Sequence, residues 1–449
     1  MTKVITYGTY DLLHYGHVRL LERAKALGDY LIVGVTAEDF DRSRGKINVS
    51  QSLMERIEAV RATGIADEII VEEYEGQKID DIRRYDVDIF TVGSDWVGKF
   101  DYLNEYCKVV YLDRTEGISS TQQRNEKCAI KLGLVGESNV VNKFAREAEY
   151  VNGIKLSGVC AQDDKFLSEQ VKNLDRVTQD YKELLEKTDA VYIISHPSKH
   201  YEQIKLALEN GKHVLCESPV ALEKQQCREL YALAKEKKLI LCDALKTAYS
   251  MAYFRLLLQA KTGCIGKIIC VEATCTSLSE KIEENEQEFD FSWNSFCSWA
   301  PTAMLPVFHL LGTNYKKRNI VTKLLNEEKH YDLFTKIDFV YDDAVASIKV
   351  GKGVKSEGEL IISGTKGYIY VPAPWWKTDY YEIRYENAEN NTRHFYQLDG
   401  EGIRYELVTF VKAIESGNIK SNMYMDEEIS LAISKLVEEF ENDIDITKI

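Results

Sequence analysis

The sequence predicts an α/β protein in three parts: two parallel-sheet domains in series, then an α+β domain with an open, mainly antiparallel sheet. Three observations predict it. Short apolar runs alternate with stretches of helical spacing from Lys3 to Leu112, and the same alternation starts afresh near Ala129. From about Lys267, β-forming segments follow one another without crossover helices between most of them. At 449 residues the chain is too long for one ordinary core, and roughly 150 residues per domain gives two or three. The divisions fall at 1–127, 128–245 and 246–449, the first in the short polar stretch Thr121–Lys127.

The first series opens with a strand at Lys3–Tyr7, a glycine-containing loop and a helix from about His17 to Ala26. Val18, Leu20, Leu21, Ala24 and Leu27 line one side of that helix, and Gly28 supplies its stop. Tyr30–Val35, Ile69–Val71, Ile89–Val92 and Val109–Leu112 read as further buried strands, with helical spacing at Leu53–Thr63 and Ile79–Tyr85. The second series has strands at Ile130–Val135, Leu156–Cys160, Ala190–Ile194, His213–Cys216 and Leu239–Cys242. Its helices fall near Asn139–Glu149, His200–Glu209 and Glu223–Glu236. The third part carries strands at Ile268–Thr276, Lys336–Val340, Ala344–Val350, Glu359–Ile362, Tyr368–Val371 and Tyr380–Tyr385, and closes with helices near Arg404–Glu415 and Asp426–Glu439.

Composition narrows the function classes. A net charge of −15 argues against a general nucleic-acid binder, because phosphate backbones are held by basic surface. It leaves room for a nucleotide substrate gripped by a few local cations and backbone amides. No signal peptide follows Met1-Thr2-Lys3, and no apolar stretch approaches the ~18 residues of a membrane span, so a cytoplasmic protein is expected. Ten scattered cysteines without a C-x-x-C pair fit reduced thiols better than disulfides or zinc.

Chemistry concentrates in the first part. Gly8-Thr9-Tyr10-Asp11-Leu12-Leu13-His14-Tyr15-Gly16-His17 sets two imidazoles three residues apart, across a glycine, where a strand gives way to a helix. Unpaired N–H groups and the positive helix end attract an anion there, and both imidazoles can donate to phosphate oxygens. Gly16 admits a close backbone approach. Arg114-Thr115-Glu116-Gly117-Ile118-Ser119-Ser120-Thr121, after the Val109–Leu112 strand, joins a cation, a glycine and four hydroxyls at a helix start. Gly93-Ser94-Asp95-Trp96 follows another strand, and Arg44, Lys46 and Lys78 add cations.

H-x-G-H together with R-T-E-G-I-S-S-T resembles the HIGH-type nucleotidyltransferase superfamily, and within it the glycerol-3-phosphate cytidylyltransferases, from Lys3 to about Gln123. The resemblance implies a Rossmann-like nucleotidyltransferase domain with CTP across the strand ends. It implies catalytic roles for His14, His17, Lys46 and Arg114, and CTP contacts from Gly8, Thr9, Tyr10, Asp11, Tyr15, Gly16, Arg56, Asp95, Trp96 and Thr115 through Thr121. Arg44, Lys46 and Lys78 fall where such enzymes place cations for the phosphorylated acceptor. Mg²⁺ is expected with CTP, glycerol 3-phosphate as acceptor, and a homo-oligomer as the assembly. Ribitol, ethanolamine or choline phosphate are alternative acceptors, choline less so because it would want an aromatic cage. One departure stands out: Gly64 occupies the position before Ala66-Asp67-Glu68-Ile69 where the family has an arginine, and Arg61 is the nearby substitute.

The stretch Thr188–Pro197, His200 and Ala207–Pro219 resembles the Gfo/Idh/MocA oxidoreductases, a match running from about Cys128 to the C-terminus. It implies a second Rossmann domain for NAD(P), with Gly133, Gly136, Ser138, His196, Pro197, Glu217, Ser218 and Pro219 as dinucleotide-binding candidates, then an α+β substrate domain. The active centre departs from the family. Ser218 replaces the lysine of E-K-P, Leu305 replaces the aspartate of D-x-x-x-H, and His309 alone remains of that pair. Glu137 and Ser138 alter the glycine loop. The expectation is a fused module without conventional dehydrogenase activity, the alternative being a bifunctional enzyme with an active oxidoreductase half. The fusion points to one pathway, an activated polyol phosphate for a cell-wall or capsular polymer.

Overall fold

The computed structural model describes residues 1–37, 49, 51–74, 76–113, 129–136, 138–163, 165–278, 294–326, 331–396, 398, 400–417 and 425–449. The chain divides into two compact units, Met1–Ala129 with Glu149–Gly153, and Ile130–Ala148 with Ile154–Ile449. The parallel and open sheets that the sequence reading separates at Leu245 therefore belong to one unit.

In the first unit β1 (Lys3–Gly8), β2 (Tyr30–Thr36), β3 (Glu68–Glu72), β4 (Ile89–Gly93) and β5 (Lys108–Leu112) pair in the order β3-β2-β1-β4-β5, all parallel. Helices cover both faces, so alternate strand residues are buried on opposite sides. Val4, Leu31 and Val33 pack with Leu21, Ala24, Ile57 and Val60, while Ile5, Ile32 and Phe90 pack with Ile82 and Leu103. That two-sided burial is why the strands read as continuous apolar runs. Strand order reverses between β1 and β4, which opens a crevice at their carboxyl ends.

The second unit begins with β6 (Ile130–Val135), β7 (Ile154–Cys160), β8 (Val177–Thr178), β9 (Ala190–Ile193), β10 (His213–Cys216) and β11 (Leu241–Asp243). They pair in parallel in the order β11-β10-β9-β6-β7-β8, the doubly wound dinucleotide-binding order, with its reversal between β6 and β9. The open sheet follows: β12 (Ile268–Thr276), β13 (Lys317–Asn326), β14 (Tyr331–Val340), β15 (Val345–Gly351), β16 (Leu360–Gly364), β17 (Tyr368–Val371), β18 (Tyr380–Arg384), β19 (Thr392–Phe395) and β20 (Ile446–Lys448).

This sheet is mainly antiparallel, as expected, with two parallel pairs that make it mixed. β12 runs parallel to β15, and β13 parallel to β20, while the other pairs are antiparallel. The parallel central pair is possible because a helix, Ser295–Leu311, lies between β12 and β13 in the chain. Phe296, Ala300, Met304 and Phe308 of that helix share a buried core with Val271, Phe339, Ile348 and Val350 of the sheet. The helix Met251–Lys261 joins the same core through Tyr253, Leu256 and Leu257.

Candidate functional site

The loop after β1 lies at the reversal point of the first sheet, and its shape is unusual. Tyr10 and Leu12, flanking Asp11, hold φ of 52° and 46°, a left-handed region that side-chain-bearing residues seldom occupy. Three features hold them there. The Tyr10 ring is buried and folds back over Gly8, where a β-carbon would stand 2.9 Å from the ring. Asp11 is buried and accepts from the Gln51 N–H at 3.0 Å, while the Leu12 N–H donates to Gln51 Oε1 at 2.7 Å. The fully buried Arg56 guanidinium donates to Thr9 O and Thr36 O, both at 2.8 Å, and to Gln51 O at 3.2 Å. Arg56 thus acts on the loop through backbone carbonyls, and Gln51 is a clamp that sequence reasoning missed.

The loop delivers the two imidazoles. His14 caps the helix Tyr15–Lys25, its Nδ1 accepting from the Gly16 N–H at 3.1 Å. An accepting Nδ1 places the proton of a neutral ring on Nε2, the nitrogen that can donate to a phosphate oxygen. His17, one turn on, stacks against it with ring centroids 4.0 Å apart and planes 20° from parallel, and Tyr10 meets His17 edge-on at 5.6 Å. Tyr15 stands exposed at the start of the helix. On the other side of the reversal point, the turn Ser94–Trp96 follows β4, and Trp96 packs against Phe100 at 5.8 Å with the Lys99 ammonium 5.0 Å from its ring. Arg23 donates to Asp113 O at 2.7 Å, tying the end of the β5 segment to the histidine-bearing helix.

Other candidates lie elsewhere. Lys78 is buried in an ion pair with Glu72, its ammonium 4.7 Å from the Tyr7 ring and 5.5 Å from that of Phe100. Its charge is balanced within the fold. Arg44, Lys46 and the run Arg114–Thr121 fall outside the described residues.

In the second unit the turn after β6 stands at the β6/β9 reversal. Gly136 has φ +142°, and a β-carbon there would lie 2.8 Å from Ile194 O, so the two carboxyl-end loops approach backbone to backbone. Gly133 serves packing instead, since a β-carbon would lie 2.8 Å from Thr188 and 3.0 Å from Leu184. Ser138 Oγ accepts from the Val140 N–H at 3.2 Å at the start of the helix Asn139–Ala148. His196 Nδ1 accepts from the Ser198 N–H at 3.3 Å beside Pro197, and burial, with Lys199 nearby, holds its pKa below the usual value.

Glu217 accepts from the Tyr192 hydroxyl, and burial raises its pKa. Ser218, before Pro219, donates to Asp243 Oδ2 at 3.3 Å. His200 is fully buried between Pro219 O and Ser195 O, at 2.8 and 2.9 Å. Leu305 is wholly inside the apolar core, and His309 Nδ1 lies 3.0 Å from the Tyr253 hydroxyl.

Residues 5–130 match the family model described as cytidylyltransferase-like. A glycerol-3-phosphate cytidylyltransferase of Bacillus spizizenii is 49% identical over 130 residues, which is 29% of this chain and all of the relative. One from Staphylococcus aureus is 48% identical over 129 residues, 28% of this chain and 95% of the relative. The chain belongs to the cytidylyltransferase-like family.

This cytidylyltransferase-like chain is also a fusion. Residues 130–243 match the oxidoreductase family with an NAD-binding Rossmann fold. A scyllo-inositol 2-dehydrogenase (NADP(+)) of Bacillus subtilis is 29% identical over 124 residues, 27% of this chain and 38% of the relative. The solved structure of a 3-ketoreductase from Actinomadura kijaniata, in complex with TDP-benzene and NADP, shares the fold of the second half. Its TM-score is 0.63 at 17% identity, over 72% of this chain and 99% of that one. At the family's arginine position, Gly64 has φ +67°, a conformation an arginine would hold only with strain, and Arg61 is engaged in an exposed pair with Glu58.

Proposed function

We propose that the first unit transfers CMP from CTP to a small polyol phosphate, glycerol 3-phosphate in the first place, giving CDP-glycerol and pyrophosphate. The observation that carries this reading is the stacked His14–His17 pair, set by its cap at the reversal point of a parallel sheet. An oxygen of the acceptor phosphate attacks the α-phosphorus of CTP, the bond to the β-phosphate oxygen breaks, and pyrophosphate leaves with that electron pair. No protein nucleophile is required, because such transfers depend on positioning and on neutralising charge. His14 and His17 donate to the phosphate oxygens as charge builds. Lys46 and Arg114 are assigned to the same task, and Arg44 to the acceptor. Lys78, the third cation assigned to the acceptor, is buried in its ion pair with Glu72. Mg²⁺ is assigned to the Mg–CTP substrate.

The test is pyrophosphate release from CTP, ATP, GTP and UTP, each against glycerol 3-phosphate, ribitol phosphate, phosphoethanolamine and phosphocholine. CTP with glycerol 3-phosphate should be fastest, and His17→Ala should lose a factor of ~10²–10³ in rate while melting like the parent. Equal turnover in that variant defeats the reading.

The second unit is read as a dinucleotide-binding module with an altered catalytic centre. Gly136, Ser138 and the start of the helix Asn139–Ala148 would hold the pyrophosphate of NAD(P), with His196–Pro197 and Glu217–Pro219 beside it. A nicotinamide supplies hydride exchange when bound. The described residues put the Ser218 hydroxyl on Asp243 and Leu305 in the core, where the related enzymes rely on ionisable groups. Stabilisation by micromolar NAD(H) or NADP(H), with neither oxidation of polyols nor reduction of their ketones, is the expected outcome. Steady hydride transfer would establish the bifunctional alternative. The whole chain would then supply an activated polyol phosphate for a cell-wall or capsular polymer.

A further inference from the structure

Three ammonium groups meet on one carboxylate in the second unit. Lys143 comes from the helix after β6, Lys246 opens the turn Lys246–Tyr249 beyond β11, and Lys377 ends the turn Trp375–Lys377 between β17 and β18. Their nitrogens stand 3.8, 3.7 and 2.5 Å from Glu401 Oε2. The carboxylate is held in place. Gly400 and Gly402 on either side have φ of +61° and +83°, and a β-carbon on Gly400 would lie 2.1 Å from Glu147. Arg404 binds that same Glu147 with two hydrogen bonds of 2.9 and 3.0 Å. Thr247 Oγ1 donates to Trp376 O at 3.2 Å, which links two of the lysine-bearing turns.

One carboxylate cannot balance three ammonium groups. Burial and the neighbouring Lys377 charge push Lys246 toward its neutral form, which leaves a surplus of one positive charge, Lys143 and Lys377 against Glu401, in a chain whose total is −15. The neighbouring acids do not remove it. Glu147 is taken up by Arg404, and Glu217 and Glu406 are both pushed toward the neutral form by burial. The four side chains are between 31% and 36% exposed, so a small solute can reach them, yet the lysines are not free in solvent.

We infer that Lys143, Lys246 and Lys377 form a binding site for a phosphate-bearing small molecule, with Glu401 as the carboxylate that the phosphate displaces. A phosphoryl group offers three oxygens to three donors and carries the charge the cluster lacks. The phosphate can come from a polyol phosphate or from a dinucleotide. The site depends neither on cytidylyl transfer nor on hydride exchange.

Hydrogen–deuterium exchange of the full chain tests it, read at the amides of Lys246–Tyr249 and Gly400–Arg404, with inorganic phosphate, glycerol 3-phosphate, NAD⁺, NADP⁺ and glycerol added separately. Phosphate compounds should slow exchange there at least fivefold and glycerol should not; protection by glycerol 3-phosphate or by dinucleotides alone identifies the source. Lys246→Gln with Lys377→Gln should abolish the protection and leave CDP-product formation unchanged. Glu401→Gln, which removes the competing carboxylate, should tighten phosphate binding severalfold. The inference is overturned by any of three results: no phosphate compound protects these amides, the lysine variant is protected like the parent, or Glu401→Gln binds phosphate more weakly.

Discussion

A β-carbon on Gly34 would lie 2.2 Å from Tyr7 Cδ1 and 2.4 Å from Cε1. The ring cannot move away, because its hydroxyl donates to Asp81 at 2.8 Å, Phe90 stacks on it at 6.1 Å, and the Lys78 ammonium sits over it. Gly34→Ala should therefore cost about 2–3 kcal/mol of first-unit stability, the scale of an overpacked core, and lower its melting temperature correspondingly. An unchanged melt would mean the ring has another place to go. Asp243 makes a prediction with a sign. Burial pushes its pKa up to about 7, against the pull of the Ser430 and Ser218 hydroxyls, which donate to it at 2.9 and 3.3 Å. The folded state then binds more protons than the unfolded one between the ordinary carboxyl value and about 7. The stability this group contributes is present at low pH and lost as pH rises through about 7. Asp243→Asn, which cannot ionise, should gain in melting temperature relative to the parent on going from pH 5 to pH 8. A difference that is flat or shrinks over that range would show that Asp243 ionises freely in the fold.

The helix Leu53–Ala62 shows what a short element can fix at a distance. Ser52 and Glu55 form a reciprocal cap, with the Glu55 N–H on Ser52 Oγ at 3.3 Å and the Ser52 N–H on Glu55 Oε2 at 2.7 Å. That cap sets the register that carries Arg56 to the Thr9 and Thr36 carbonyls. Ser52→Ala should cost about 1 kcal/mol, seen as a lower first-unit melt, with kcat for CTP within about twofold of the parent. A stability loss accompanied by a large fall in kcat would place the cap in control of the histidine loop. Elements with a local signal were legible in the sequence. The helix expected from about His17 to Ala26 is Tyr15–Lys25, and the strand expected at Ile130–Val135 has those bounds. The helix Ser295–Leu311 was not assigned, because Pro301 and Pro306 lie inside it and it is apolar nearly all round. The parallel pairing of β12 with β15 was hidden for a different reason: β-propensity is silent about strand direction. At the site, the histidine pair and its glycine were readable because they are contiguous. Gln51, and the Lys143–Lys246–Lys377 cluster, are brought together only by the fold, and no spacing announces them.

At the scale of the whole chain, two compact units imply that each can melt and bind by itself. The first has its own sheet with separate buried clusters on its two faces. The Bacillus spizizenii relative that it matches over its full length spans only 29% of this chain, so a protein of that size needs no second unit to fold. Calorimetry of the intact chain should accordingly show two transitions. Saturating Mg–CTP should raise one and leave the other in place, since a ligand stabilises only the unit whose native state it binds, by about 2.7 kcal/mol at a hundred times its dissociation constant. NAD(H) or NADP(H) should act on the other transition alone. Cut after Ala129, the N-terminal fragment should retain CDP-product formation with kcat within about threefold of the intact chain. A single cooperative transition that shifts as a whole with either ligand, together with an inactive fragment, would show instead that the two halves fold and work as one body, and the fusion would then be a requirement of catalysis.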